Sequence, residues 1–324
     1  MLQKIFRPFL FLIREKKKLM ALMVLMTFVF ALLVFPYDDL SDMITELVAK
    51  NSQNQVFVQF DDLGIGFLPP SLKMSNVSLD TPVLPTIKAK KLYLAPNIAG
   101  LLAFSPGFSA TIEDVLKGEV DIDLRAGKKV NDNIRLQNAS VKLKDLDLKS
   151  LTTFAQAQLD LEGSVAATLS AQVDPTLTEQ PDGSLTLDIS KFRLPPSTIP
   201  TPMGPVSLSN LEISHISLKG DLKNGNFDIS EGTIGQQGDA INGRIKGRIG
   251  IRLRMVGNQV VPDLGAYELK IDLSFDRLTE KNFGIFLSLV DKFRTVTGSG
   301  TRYAFRLSTP NINIPPNPTA LGSW

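Results

Sequence analysis

Residues 240–256 read AINGRIKGRIGIRLRMV and hold the most regular alternation in the chain. One parity is apolar and includes a candidate apolar face, Ile245, Ile249, Ile251 and Leu253; the other carries a basic stripe, Arg244, Lys246, Arg248, Arg252 and Arg254. A period of two predicts a β-strand with an apolar and a polar face. At about 3.3 Å per residue the strand would be roughly 55 Å long, so its glycines are expected to let it bend.

Similar alternation occurs on both sides of this strand. Examples are Val120 to Leu124, Leu185 to Ile189 and Tyr267 to Phe275, and Asn224-Gly225 predicts a type I′ hairpin turn. The pattern predicts a mainly β protein: a long curved antiparallel sheet, as a β-groove or a flattened barrel, with one or two short helices. Its apolar face must pack on a second layer, close on itself or bind an apolar ligand, and the sequence leaves these alternatives open.

Helix and proline patterns divide the chain further. Apolar residues at helical spacing predict a stalk helix within residues 38–55 and a second helix over residues 281–296. Five prolines within residues 192–205 predict a connection, because proline cannot donate to a strand ladder. It separates β-regions at 56–191 and 206–310, or crosses over within one sheet. Residues 311–324 are expected to form an edge or a loose tail.

An uncharged apolar segment lies near the start of the chain. Residues 19–37 could span about 28 Å as a helix, which matches the hydrocarbon core of a membrane. Six bases and one acid in residues 1–18 predict a cytoplasmic N-terminus and a body on the far side of the membrane. A cleaved signal peptide would be shorter and end at small residues. The predicted anchor residues include Leu19, Met20, Phe28, Phe30 and Phe35.

Composition excludes several kinds of chemistry. The chain has no cysteine and one histidine, His215, and residues 19–324 hold 29 bases and 32 acids. Cysteine-based chemistry is therefore excluded, and the charge balance gives no indication of nucleic-acid binding. No spacing matches a catalytic, metal or cofactor site. We predict a non-enzymatic protein without a cofactor, in which His215 is structural.

The basic stripe has two interpretations. It could dock an acidic partner or lipid headgroups. Alternatively, its members could pair across strands with Glu268, Asp272 and Asp276, which lie on the polar face of the following strand.

Several local phrases carry a family resemblance: FPYD at 35–38, VFVQF at 56–60, FLPPSLKMSNVSL at 67–79, LYLAP at 92–96 and LKGDLKNG at 218–225. With the overall layout, they resemble the type II secretion system protein N (GspN) family in its longer form. More distantly, the chain resembles AsmA-like envelope proteins, in which an N-terminal anchor leads into a β-groove.

The resemblance implies an accessory component of type II secretion that contacts other secretion subunits from the inner membrane. The AsmA-like alternative implies a protein that binds or transfers phospholipid or lipopolysaccharide by shielding acyl chains on its apolar face. Neither family supplies a catalytic motif to carry over. The chain is shorter than large AsmA-like proteins, so a lipid conduit across the periplasm would need partners.

Overall fold

The computed structural model describes residues 22–23, 26–27, 30, 37–52, 55–67, 70–81, 85–98, 100, 105–129, 135–157, 159–201, 204–256, 259–298, 300–311 and 314–322. Of the predicted anchor residues, only Phe30 belongs to these ranges; it is helical and exposed. Leu19, Met20, Phe28 and Phe35 lie outside them. Within the described ranges, no helix combines the length and apolarity required to cross a membrane.

The chain is built mainly from β-strands. They are β1 (Phe57–Gln59), β2 (Asp62–Phe67), β3 (Pro70–Asp80), β4 (Ile87–Pro96), β5 (Gly107–Val115), β6 (Gly118–Lys129), β7 (Arg135–Asp147), β8 (Glu162–Val173), β9 (Asp182–Leu194), β10 (Ser197–Thr201), β11 (Gly204–Leu208), β12 (Leu211–Lys223), β13 (Asn226–Ile234), β14 (Ile241–Val256), β15 (Gln259–Asp276), β16 (Arg294–Val296), β17 (Gly300–Thr309) and β18 (Asn317–Ala320).

The helices are short. Those whose bounds lie within the described residues are α1 (Tyr37–Asn51), α2 (Leu148–Phe154), α3 (Arg277–Asn282), α4 (Gly284–Leu287) and a 3₁₀-helix (Ser288–Phe293). The single helix predicted over residues 281–296 is therefore wrong: that stretch is divided among α3, α4, the 3₁₀-helix and β16. The count of one or two short helices is also too low for the described residues.

One antiparallel sheet contains all the described strands except the β10–β11 hairpin, in the order β1-β3-β4-β5-β6-β7-β8-β9-β12-β13-β14-β15-β17-β16. At one edge, β1 and β2 share β3; at the other, β16 and β18 share β17. The two edges do not pair with each other, so the sheet is open. The flattened-barrel alternative is wrong, and the mainly antiparallel β architecture is confirmed.

The proline-rich connection does not interrupt the large sheet. Strand β9 continues to Leu194, and the β10–β11 hairpin follows outside the sheet. Strands β9 and β12 then pair directly, from Leu194 opposite Leu211 to Gly183 opposite Leu222. The two predicted β-regions consequently belong to one sheet, as the crossover alternative requires.

The helices cover part of the apolar face. Leu40, Ile44 and Val48 of α1 pack on a cluster formed by Val58, Leu63, Met74 and Val77. Helix α2 begins at the Asp147 cap, whose carboxylate accepts a hydrogen bond from the Ser150 amide. Its buried Leu148 joins a second cluster, which includes Leu146 and Val165.

The third and largest cluster lies below the C-terminal helices. Its buried members include Ile213, Ile241, Phe275, Tyr303 and Phe305, and Phe283, Leu287, Val290 and Phe293 pack against them. Asp276 caps α3 by accepting a hydrogen bond from the Thr279 amide at 2.6 Å.

The two ends of the strands differ. Helix α2, the β10–β11 hairpin and the α3–α4 segment all connect strands at one end, which we call the helix end. The opposite end, which we call the hairpin end, contains the β12–β13 turn at Asn224-Gly225. Both turn residues have positive φ, 50° and 72°, as a type I′ turn requires, so this predicted hairpin is confirmed.

Candidate functional site: the apolar face of the open sheet

An unbroken apolar row crosses thirteen strands from β2 to β17. Register pairing places these positions side by side: Ile65, Leu72, Leu94, Ala110, Ile122, Val141, Leu169, Leu185, Gly220, Ile229, Gly247, Leu269 and Leu307. We call this set the long apolar row. At about 4.8 Å between strands, it covers roughly 58 Å along the sheet.

A second row lies beside the first, toward the hairpin end. From β5 to β15 it contains Phe108, Leu124, Ala139, Ala171, Gly183, Leu222, Phe227, Ile249 and Tyr267. The intervening positions point to the other face and are polar: Ser109, Asp123, Ser140, Ser170, Ser184, Asp221, Asp228, Arg248, Glu268 and Ser308. The two faces therefore differ chemically from β5 to β17.

Much of the long apolar row is accessible. Ala110 and Ile229 are buried, but Ile122, Leu185 and Leu269 are half-buried and Leu169 is 41% exposed. In the second row, Phe108 is 47% exposed. A contiguous apolar surface of this extent is uncommon in soluble proteins and is typical of an interaction or ligand-binding surface.

A pocket marks the N-terminal part of this face. Its volume is about 530 Å³, and its walls include Ile65, Leu72, Leu94 and Phe108. A pocket of this size lies within the range of ligand-binding clefts. Its walls are almost entirely apolar, so it suits a hydrocarbon group.

The two rows are in close contact at Gly220 of β12. A Cβ atom added there would lie 2.6 Å from Cζ of Phe227, because the Phe227 ring packs over the glycine. Gly247, on the next strand but one, has a φ of 149°, which side chains disfavour. A glycine at this position of the long strand β14 therefore avoids the strain that a side chain would bring.

The candidate apolar face is distributed over two settings. Ile249 lies opposite Phe227 and Tyr267 within the second row, and Ile245 lies opposite Ile271 one row nearer the helix end. Ile251 and Leu253 lie farther along β14, beyond the last residue paired with β13. All four side chains are half-buried.

The outer part of β14 pairs with β15 on one side, and on the other side, beyond the end of β13, it is held by a side chain. The Gln180 side-chain oxygen accepts a hydrogen bond from the Leu253 N–H at 2.8 Å, and its nitrogen donates one to the Leu253 carbonyl at 3.0 Å. Gln180 belongs to the β8–β9 loop, in which the buried Asp174 carboxylate accepts hydrogen bonds from the amides of Thr176 and Thr178. The sequence pattern did not indicate these two hydrogen bonds, because they join residues that are distant along the chain.

The basic stripe lies on the opposite, polar face and is exposed. Three of its arginines form ion pairs: Arg244 with Asp272 at 3.2 Å, Arg248 with Asp228 at 2.5 Å and Arg254 with Asp263 at 3.2 Å. Of the predicted acidic partners, Asp272 pairs with the stripe, Glu268 pairs with Arg306 and Asp276 caps α3. The cross-strand interpretation thus accounts for these arginines without a docking partner.

Asp272 is the buried centre of this ion-pair network. Arg302 Nε lies 2.6 Å from one carboxylate oxygen, and Arg244 approaches the other. Hydrogen bonds from Arg302, against the opposing effect of burial, hold the pKa of Asp272 below its usual range. The ionised carboxylate is therefore more stable in the folded chain than in the unfolded chain.

Asp272→Asn is expected to lower the free energy of unfolding by about 2 kcal/mol at neutral pH, because it removes charged hydrogen bonds at a buried site. A depressed folded-state pKa stabilises the fold above the unfolded pKa of about 3.9, and the contribution disappears as pH falls through the folded value. The difference between wild type and variant should therefore narrow as the pH is lowered below about 3.9 in urea titrations. Asp263→Asn, at an exposed pair, is the matched control and should cost less than about 1 kcal/mol. A pH-independent difference would contradict this interpretation.

No metal-binding cluster accompanies the apolar rows in the described part of the chain. No group of three or more His, Cys, Asp or Glu residues there could hold a metal ion. His215 lies on β12, where its Nε2 is 3.5 Å from the Asp188 carboxylate. This contact is consistent with a structural histidine on the polar face.

Sequence reasoning missed Leu169 and Phe108 as members of the site. Leu169 lies in EGSVAATLSAQV, where small residues at the inward positions Ala167 and Ala171 weaken the alternation. Only the register shows that these positions continue the apolar rows.

Fold and site together define a class: an open antiparallel sheet with one continuous apolar face, capped by helices at one strand end. No family model matches the chain. No curated protein and no solved structure matches it either.

Proposed function

We propose that this chain is a non-enzymatic, inner-membrane-anchored envelope protein that binds the acyl chains of phospholipid or lipopolysaccharide along its apolar face. The observation that carries the proposal is the pair of adjacent apolar rows, which continue across the open sheet without a polar interruption from β5 to β15. A hydrocarbon chain needs no directional partner, so a smooth apolar track is a sufficient binding surface.

Dimensions support this ligand class. One leaflet of a bilayer is about 15 Å thick in its hydrocarbon region. The roughly 58 Å of the long apolar row could hold several such chain lengths, and the strand twist would curve the sheet into a groove around them. The polar face would stay in water.

The anchor at residues 19–37 belongs to the same proposal. It would hold the body next to the lipid source, with the N-terminus cytoplasmic and the body periplasmic. Helix α1 starts at Tyr37 and packs on the sheet through Leu40, Ile44 and Val48. A chain leaving the membrane at residue 37 would therefore enter the body through a helix that is already part of its core.

A second candidate is an accessory subunit of type II protein secretion. It is favoured by the sequence motifs at 67–79 and 92–96, which carry the family resemblance and fall largely on β3 and β4. These two strands are neighbours, and they lie next to the sheet edge that β1 and β2 form. An edge strand offers unpaired backbone groups to another subunit. Deleting the gene should then deplete folded secreted proteins from the medium, and unchanged secretion would remove this candidate.

The lipid-binding proposal is tested by extracting the full chain in mild detergent and recording native mass spectra. We expect adducts of phospholipid or lipopolysaccharide mass that survive exchange into a second detergent. The proposal would be contradicted if extracts that contain phospholipid and lipopolysaccharide gave spectra of the bare chain and its detergent adducts alone.

A further inference from the structure

Residues 277–296, which comprise α3, α4, the 3₁₀-helix and β16, form what we call the cap segment. Its inner side packs on the largest core cluster through Phe283, Leu287, Val290 and Phe293. Its outer side also carries large apolar residues with high exposure: Leu278 68%, Ile285 65%, Phe286 43%, Leu289 76% and Val296 71%. Large exposed apolar side chains gathered on one short segment are typical of an interaction surface.

The charge of the cap segment indicates which kind of partner would bind its outer side. The cap segment holds four bases and two acids, whereas the other residues after residue 18 hold 25 bases and 30 acids. One of its acids, Glu280, is engaged within the fold by Arg294 at 2.8 Å and by the Thr301 hydroxyl at 2.6 Å. Arg277, Lys281 and Lys292 are exposed beside the apolar residues.

We propose that the outer side of the cap segment binds the surface of an anionic phospholipid bilayer. Aliphatic and phenyl side chains would enter the interface while the neighbouring cations contact phosphate groups, as in interfacial helices. A second copy of the chain fits this surface less well, because a symmetric contact would bring the same cations together. The inference goes beyond acyl-chain binding on the sheet and rests only on the membrane attachment in the proposed function.

The test uses the full chain, which has no native cysteine, with one environment-sensitive fluorophore attached at Leu289→Cys. The matched control carries the fluorophore at Thr168→Cys, an exposed position on the polar face of β8. Both proteins are reconstituted into vesicles of equimolar phosphatidylcholine and phosphatidylglycerol. Quenching is measured with nitroxide-labelled acyl chains and with aqueous iodide.

We expect nitroxide lipids to quench the fluorophore at position 289 and iodide to quench the one at position 168. Replacing Lys281 and Lys292 by glutamine should lower the ratio of bilayer-bound to free segment about 30-fold. If protein that floats with the vesicles shows equal iodide quenching at positions 289 and 168, bilayer binding by the cap segment is overturned. The proposed membrane anchor is not affected by that result. If the protein does not float with the vesicles, both bilayer binding by the cap segment and the membrane anchor proposed at residues 19–37 are overturned.

A second copy of the chain is distinguished from the bilayer by crosslinking. In that case the fluorophore at position 289 would be protected from iodide without being quenched by nitroxide lipids. The unlabelled Leu289→Cys chain would also form disulfide-linked dimers on mild oxidation. This combination would assign the surface to a second copy and overturn bilayer binding.

Discussion

Leu169→Asp is expected to reduce phospholipid retained by the purified chain on the order of 100-fold. Leu169 lies in the middle of the long apolar row, opposite Val141 and Leu185, so a carboxylate there would face the bound hydrocarbon. A charge in contact with acyl chains costs about 3 kcal/mol, which corresponds to a loss of this size. Because the wild-type leucine is 41% exposed, the carboxylate can remain hydrated in the lipid-free protein, and the fold should be retained. The readout is lipid per protein by mass spectrometry after detergent extraction.

Thr168→Asp provides the matched control for this variant. Thr168 is the preceding residue of the same strand, is exposed and points to the polar face. It introduces the same charge at nearly the same place without touching the apolar row. Equal lipid retention by the two variants would argue against binding on the apolar face, and so would unchanged retention in Leu169→Asp.

Phe275→Ala is expected to reduce the free energy of unfolding by about 4 kcal/mol. The Phe275 side chain is 8% exposed, and its ring meets the Tyr303 ring edge-to-face at a centroid distance of 5.6 Å. Truncation would leave a cavity in the largest core cluster, and phenylalanine-to-alanine changes in cores cost about 3–5 kcal/mol. Chemical unfolding of the full chain in detergent, followed by far-ultraviolet circular dichroism, measures the change.

Leu278→Ala is the control for the core prediction. Leu278 lies three residues away on α3 and is 68% exposed, so its truncation should change stability by less than about 0.5 kcal/mol. If the two variants had similar stabilities, the cluster beneath the cap segment would not be a core.

The strands were predictable because alternation is a local property. The pattern in residues 240–256 predicted β14, and Asn224-Gly225 predicted the neighbouring hairpin turn. Strand order also follows chain order through most of the sheet, since short connections favour antiparallel neighbours. Closure of the sheet depends on whether its two edges meet, which no local pattern reports, and the barrel alternative therefore stayed open.

The helix over residues 281–296 was misjudged for an identifiable reason. Its inward residues, Phe283, Leu287, Val290 and Phe293, are spaced by four and then by three. Repetition every three residues fits a 3₁₀-helix, which has three residues per turn, and that element is found at Ser288–Phe293. The true start at Arg277 depends on the Asp276 cap, which lies before the apolar spacing begins.

Members of the apolar rows were only partly predictable. Ile249 stands in a regular pattern, whereas Ala139, Ala171 and Gly183 belong to the face solely through register. Small residues carry little periodic signal, yet they keep the face apolar where a polar residue would interrupt it. Long-range hydrogen bonds, such as the one from the Leu253 N–H to the Gln180 side chain, have no sequence signature.

The most direct test places a photo-crosslinking residue at Ile249 in living cells and, separately, at Arg248. Ile249 belongs to the second apolar row, on a strand four places away from β8 in the sheet. Arg248 points to the polar face. The proposal predicts phospholipid or lipopolysaccharide adducts at position 249 and none at position 248. Adducts with protein alone at position 248, together with a silent position 249, would contradict lipid binding on the apolar face.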